Sequence, residues 1–196
     1  GATGLLAACA TPGPAHRREL LEVGEHRIDV RVDEPAGSPG APGAPPIVLL
    51  PSSQRDSLDF DGLAQRLARA GFKVLRPQPR GMGASSPPPP GMTLATLAGD
   101  VALTIERLGG GQRAVVVGHA YGHWVARVAD MTHPQLVRGV VVLGASAKVF
   151  PAGTAEALAI ASDPAKPEPD RIAALQKVMF APGNDPRSWL AGWYPQ

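Results

Sequence analysis

The strongest constraint on the fold is a repeated unit: a short stretch apolar at every position, then a longer one apolar at every third or fourth. Residues 47–50 (Ile-Val-Leu-Leu) read as a buried strand, and residues 58–70 as a helix with Leu63 and Leu67 on one face and Gly71 as its stop. Residues 72–75 form the next strand. Thr93 then caps a helix on which Leu94, Leu97, Val101, Ile105 and Leu108 recur at helical steps until Gly109. Residues 115–117 form a third strand, residues 121–131 a third helix and residues 140–143 a fourth strand. Strands apolar on both faces, alternating with amphipathic helices, predict an α/β fold. Its sheet is mostly parallel and doubly wound, in a three-layer α/β/α arrangement. Right-handed crossovers bring the strand ends to one edge, where open α/β sheets bind ligands. Three loops fall there: Pro51-Ser52-Ser53-Gln54, Arg80-Gly81-Met82-Gly83 and Gly118-His119-Ala120-Tyr121-Gly122.

The flanks follow other patterns. Residues 17–35 alternate apolar and polar around Gly24-Glu25, which predicts an antiparallel hairpin with one solvated face. Residues 36–46 are a Pro/Gly connection too poor in apolar side chains to join a core. From Phe150 onward the unit stops repeating. Short helices broken by Pro and Gly are expected, one starting at Asp170 with Ile172, Leu175, Val178 and Met179 on its apolar face. Trp189, Trp193 and Tyr194 read as packing residues of a small helical lid, the alternative being the walls of a ligand pocket. The chain thus divides into an N-terminal tether (1–18), an α/β core (19–149) and the start of a helical cap (150–196).

A formal net charge of +2, with no dense run of Lys and Arg, argues against nucleic acid as a partner. The first residue is Gly1, so an upstream part is expected to have been removed or never to have been recorded. In "GATGLLAACATPGPAH", Leu6-Ala7-Ala8-Cys9 matches a bacterial lipobox, which makes Cys9 the expected site of lipid attachment. The apolar segment is too short to span a bilayer. The implied location is outside a bacterial membrane, lipid-anchored or periplasmic, and the membrane is expected as a partner only through that anchor. The alternative is an Ala-rich terminus in which Cys9 has no role. One Cys excludes an intramolecular disulfide. No metal-ligand spacing is present, and no cofactor is expected.

"GHAYG", residues 118–122, resembles the nucleophile elbow of the α/β-hydrolase family, written Gly-x-Ser-x-Gly. Two more stretches carry the likeness. Residues 47–77 resemble the family's oxyanion-loop strand, helix and next strand, with Pro51-Ser52 where His-Gly is often found. "PRGMGASSP" resembles its Asp-x-Arg-Gly-x-Gly-x-Ser turn, with Gln78 in the Asp position. The likeness runs from about Glu19 to Leu143, and the tail resembles the family's cap.

The resemblance implies that Ala120 occupies the nucleophile position. It also implies that the backbone amides of Tyr121 and Ser53 are oxyanion donors, and that Gly118, His119 and Gly122 support the turn. His119 and His123 are the nearest candidate bases, but in the family the residue before the tip commonly packs in the sheet-helix junction, and His123 falls in the helix's first turn. Asp56 and Asp130 read as loop and helix-surface charges, and His16 and His133 as surface residues. In the family the acid and the catalytic His follow later strands, so a chain ending at Gln196 is expected to be incomplete. The implied function is hydrolysis of an ester, amide or related bond in a small apolar substrate, with Ala120 closing the covalent route. The alternative is an inactive small-ligand-binding protein that keeps the oxyanion amides. A dinucleotide-binding reading fails, because the three-glycine spacing and the later acidic residue are absent.

Overall fold

The computed structural model describes residues 15–35, 43–145 and 149–194. Cys9 and its tether, and most of the Pro/Gly connection, lie outside the described residues. Among those described, six strands form one sheet: β1 (His16–Val23), β2 (His26–Asp33), β3 (Ile47–Leu50), β4 (Val74–Pro77), β5 (Ala114–His119) and β6 (Val137–Leu143). Their order is β1-β2-β4-β3-β5-β6. β3 pairs parallel with β4 and β5, and β5 with β6, while β1–β2 and β2–β4 are antiparallel. β1 starts at His16, inside the segment read as tether.

Period-two side-chain alternation sends neighbouring residues of β3 into separate cores. Val48 and Leu50 join Leu75 and Val116 against Ala98, Val101 and Ile105 of helix α2 (Leu94–Leu108) and Val125, Ala126 and Ala129 of helix α3 (Gly122–Thr132). Ile47 and Leu49 join Val74 and Val117 against Phe60 and Ala64 on the opposite side, where helix α1 (Asp61–Arg69) lies. Helices therefore cover both sheet faces.

Several local expectations shift. Residues 57–70 divide into a 3-10 turn (Ser57–Phe60), capped by Asp56, and α1. The buried positions of α1 are Ala64 and Ala68, while Leu63 is 37% exposed. Small side chains turned toward the sheet leave the larger Leu63 at the rim. β4 begins at Val74 rather than residue 72, because the Phe72 amide still closes the preceding turn by donating to the Leu67 carbonyl at 3.1 Å. β6 begins at Val137, and its last residues, Val141 to Leu143, are partly exposed at the sheet edge.

The hairpin's second face is solvated along β1, where His16, Arg18, Leu20 and Glu22 are exposed, but not along all of β2. Ile28, Val30 and Val32 enter the core, but Asp29 and Asp33 on the other face are buried as well. Asp33 accepts from buried Arg76 Nε at 2.9 Å, and Asp29 accepts from Arg18 Nε at 2.7 Å. Alternation identifies which residues share a face but not which carboxylates find a cation.

Beyond the sheet, helices α4 (Thr154–Ser162) and α5 (Glu168–Val178) and a 3-10 turn (Pro186–Trp189) form the cap. Ala157, Ala161, Ala174 and Leu175 make its core, with Val178, Phe180, Trp189 and Trp193 packed around them. α5 starts two residues before Asp170, with Pro in its first turn. Met179 falls after the helix and is 37% exposed, so it leaves the predicted apolar face. No helix among the described residues is long and apolar enough to cross a membrane.

Candidate functional site

Ala120 lies between β5 and α3 with φ +46°, in the left-handed region that side chains other than Gly seldom adopt. Two close approaches explain the flanking glycines. A Cβ on Gly118 would lie 2.4 Å from the Gly122 carbonyl oxygen, and one on Gly122 would lie 2.4 Å from the Leu50 carbonyl oxygen. Both obstacles are backbone and cannot rotate away, so the chain turns back on itself only where side chains are absent. The corner is tied at both ends. The Ala120 amide donates to the Leu143 carbonyl at 2.9 Å, and its carbonyl accepts from the His123 amide at 3.1 Å.

The loop after β3 makes a second tight turn, with Gln54 at φ +60° and the Arg55 amide donating to the Ser52 carbonyl. The loop after β4 is shaped by Asp29. Its Oδ2 accepts from the Ala84 amide at 2.9 Å, while its own amide donates to Ser85 Oγ at 3.0 Å. A Cβ on Gly83 would stand 2.5 Å from Asp29 Oδ2, so this loop closes over the carboxylate only as glycine. Burial opposes ionisation of Asp29, but Arg18 and the Ala84 amide outweigh it and hold its carboxyl below the usual range. Gln78, in the Asp position of the turn motif, is buried, and its Oε1 accepts from the Ser57 amide at 3.0 Å.

These loops enclose a cavity of about 380 Å³. Ser53, Tyr121 and Gly122 line it, with Arg80 and Asp100 on one side and Met82, Pro88 and Met92 among its apolar walls. Neither the Ser53 nor the Tyr121 amide has a hydrogen-bond acceptor among the described residues. Ala120, half-buried, is next in the chain to Tyr121 but is not itself a lining residue.

His119 points elsewhere. It packs edge-on to Phe60 and Trp189, ring centres 6.5 and 6.2 Å away, and burial holds its imidazole below the ordinary value against the pull of Asp59. His123 is buried, with Nδ1 hydrogen-bonded to the Ala120 carbonyl and the ring against Trp124. His123 is thus bonded to the elbow, whereas His119 packs between Phe60 and Trp189. His133 is half-buried at the end of α3, and His16 Nδ1 lies 3.0 Å from Asp33 Oδ1.

The aromatic tail packs on the protein instead of lining this cavity. Arg55 lies over the rings of Trp189 and Trp193, 4.6 and 4.9 Å from their centres, and its Nε donates to Asp59 at 2.8 Å. Tyr194 straps the tail to the loop after β3. Its amide donates to the Gln54 carbonyl at 3.0 Å and its hydroxyl to Asp56 Oδ2 at 2.9 Å. Asp56 is therefore a buried loop residue that caps the 3-10 turn and accepts from Tyr194, whereas Asp130 is exposed. Burial, then Asp56, pushes the Tyr194 hydroxyl above its ordinary pKa and keeps it a donor.

Among the pocket members that sequence reasoning missed are Asp100, Pro88 and Met92. Asp100 shares a helix face with Leu97 and Val101, a pattern that signalled core but not the facing Arg80.

The family model described as alpha/beta hydrolase fold matches residues 45–193, spanning all three loops and the cap. The chain belongs to the α/β-hydrolase fold family. It is 35% identical over 114 residues to epoxide hydrolase A of Mycobacterium tuberculosis, a match covering 55% of this chain and 34% of that protein. Among solved structures it is similar to a hydrolase from Pseudomonas aeruginosa, 29% identical with a TM-score of 0.57, covering 75% of this chain and 54% of the other. An α/β-hydrolase from Novosphingobium aromaticivorans shares the fold at 23% identity and a TM-score of 0.60, covering 74% of this chain and 50% of that one. The chain thus spans about a third of the curated relative's length and about half of each solved structure.

Proposed function

We propose that this chain carries the substrate-binding edge of a hydrolase for a small, mainly apolar molecule with a polarised oxygen: an ester, an amide or an epoxide. The observation that carries this reading is that Ser53 and Tyr121, whose amides have no acceptor among the described residues, line one cavity beside the elbow. Fixed main-chain donors of this kind stabilise charge that develops on a substrate oxygen, each by roughly 3–4 kcal/mol in acyl-transfer enzymes. The epoxide option draws on the name of the Mycobacterium tuberculosis relative. A methyl group cannot attack carbon, so no covalent intermediate forms at residue 120 of this chain.

The test is to restore a nucleophile. Ala120→Asp presents a carboxylate that opens styrene oxide by attack on a ring carbon, leaving a hydroxyalkyl ester on the side chain. Peptide mass mapping should find one added epoxide on the peptide containing residue 120, absent from the parent protein. If that peptide stays unmodified while surface carboxylates react, the site does not present residue 120 to a ligand.

A second reading, a binding protein without chemistry, is favoured by the same methyl group, which leaves the main-chain donors in place. Methyl phenylacetate separates the two readings. The binder is stabilised against heat without turning the ester over, whereas in the hydrolase reading Ala120→Ser takes up the phenylacetyl group on its hydroxyl and releases methanol.

A further inference from the structure

Pro51, Ser52, Ser53 and Gln54 line the cavity, whereas none of residues 190–194 in the cap tail does. Three consecutive residues of that loop nonetheless bond to the tail. Gln54 and Tyr194 join reciprocally: the Tyr194 amide donates to the Gln54 carbonyl at 3.0 Å, and Gln54 Nε2 donates to the Tyr194 carbonyl at 2.9 Å. Arg55 Nη1 donates to the Ala191 carbonyl at 2.7 Å, and Asp56 Oδ2 accepts from the Tyr194 hydroxyl at 2.9 Å. Tyr194 takes part in three of these four bonds. They converge where the loop backbone is least at ease. Gln54 sits at φ +60°, which a residue with a side chain holds only when its surroundings impose it.

We propose that Tyr194 is a positioning residue for the ligand cavity: by clamping residues 54–56 it fixes the wall to which Ser53 belongs, and so couples the cap tail to ligand binding. Tyr194 touches no ligand and acts through the loop. Packing alone does not call for this arrangement. Trp189 and Trp193 already hold the tail on Arg55 through their ring faces, a contact that tolerates sliding. The bonds of Tyr194 are directional and fix the loop's backbone angle as well as its place. A tail that lifts away frees Gln54 from its left-handed conformation, and Ser53, the next residue back, loosens with it. Coupling of this kind is reciprocal: a ligand that needs the loop in place must also hold Tyr194 in place. The inference rests on the reading of this cavity as the ligand site, and adds that affinity there depends on a side chain outside it.

The experiment titrates methyl phenylacetate calorimetrically into the parent protein, Tyr194→Phe and Ala174→Gly. Tyr194→Phe keeps the ring and the main chain and removes only the hydroxyl donor to Asp56. Ala174→Gly loosens the cap within its own buried core, away from the loop, and measures the effect of cap stability alone. Binding to Tyr194→Phe is expected to be about fivefold weaker, the loss of one hydrogen bond that holds the site. Binding to Ala174→Gly should stay within about twofold of the parent. In the parent, saturating ester should slow hydrogen exchange of the Tyr194 amide, which is off the cavity, by about fivefold. Unchanged affinity in Tyr194→Phe overturns the proposal. An equal loss in both variants also overturns it, since cap stability is then the cause. The exchange of the Tyr194 amide in the parent decides the matter even if a variant does not fold: indifference to bound ester overturns the coupling. Ester binding without these responses removes the Tyr194 role alone, whereas no binding to the parent removes the reading of the cavity as well.

Discussion

Gly122 and Leu50 meet backbone to backbone: a side-chain carbon on the first would lie 2.4 Å from the carbonyl oxygen of the second. The start of α3 is thereby held against the end of β3, and the elbow against the loop that carries Ser53. Gly122→Ala must push the two apart. We expect a loss of about 3 kcal/mol in chemical denaturation, where an exposed helical Gly→Ala would gain stability. A neutral or stabilising effect would contradict the close approach.

Ala120→Gly should act in the opposite sense. At φ +46° the alanine pays a steric cost that glycine avoids. The variant is expected to gain roughly 1 kcal/mol, although Gly in a strand or helix would cost about as much. The sign of the change in melting temperature is the check.

Arg55 links core and cap through Asp59, the Ala191 carbonyl and two tryptophan faces. Arg55→Met keeps an apolar stem but leaves the Asp59 carboxylate without its cation. A loss of about 3 kcal/mol is expected. Hydrogen exchange should accelerate first in residues 186–194, because the aromatic tail loses its anchor. Uniform acceleration across the sheet would count against this role.

The His119 imidazole, buried between Phe60 and Trp189, protonates below the ordinary value of 6.5. Below that pH the unfolded chain binds a proton that the folded one resists. Its contribution to stability is therefore full above pH 6.5 and declines as pH falls toward the depressed folded value. Denaturation midpoints measured from pH 7.5 to 5 should fall less steeply in His119→Gln than in the parent. Identical slopes would remove His119 as the cause.

The sheet was legible because β3 and β5 are short, apolar on both faces and followed by helical periodicity. Ala120 was legible as a corner because glycines stand two residues to either side. Where the reading faltered, the cause was side-chain pairing between distant segments. Asp29 and Asp33 looked solvent-facing by alternation, yet Arg18 and Arg76 neutralise them. Asp56 looked like a loop charge until Tyr194, 138 positions later, reached its carboxylate. Nothing local to Arg80 announces Asp100, because the pair forms only once α2 packs against the sheet. Leu63 misled for a simpler reason: the positions nearest the sheet are filled by alanines, which a search for large apolar residues passes over.

The contacts that shape the elbow run from missing glycine side chains to main-chain oxygens, and the side chain of residue 120 contributes to none of them. A nucleophile introduced at residue 120 would therefore inherit the corner as it stands, with no backbone to rebuild.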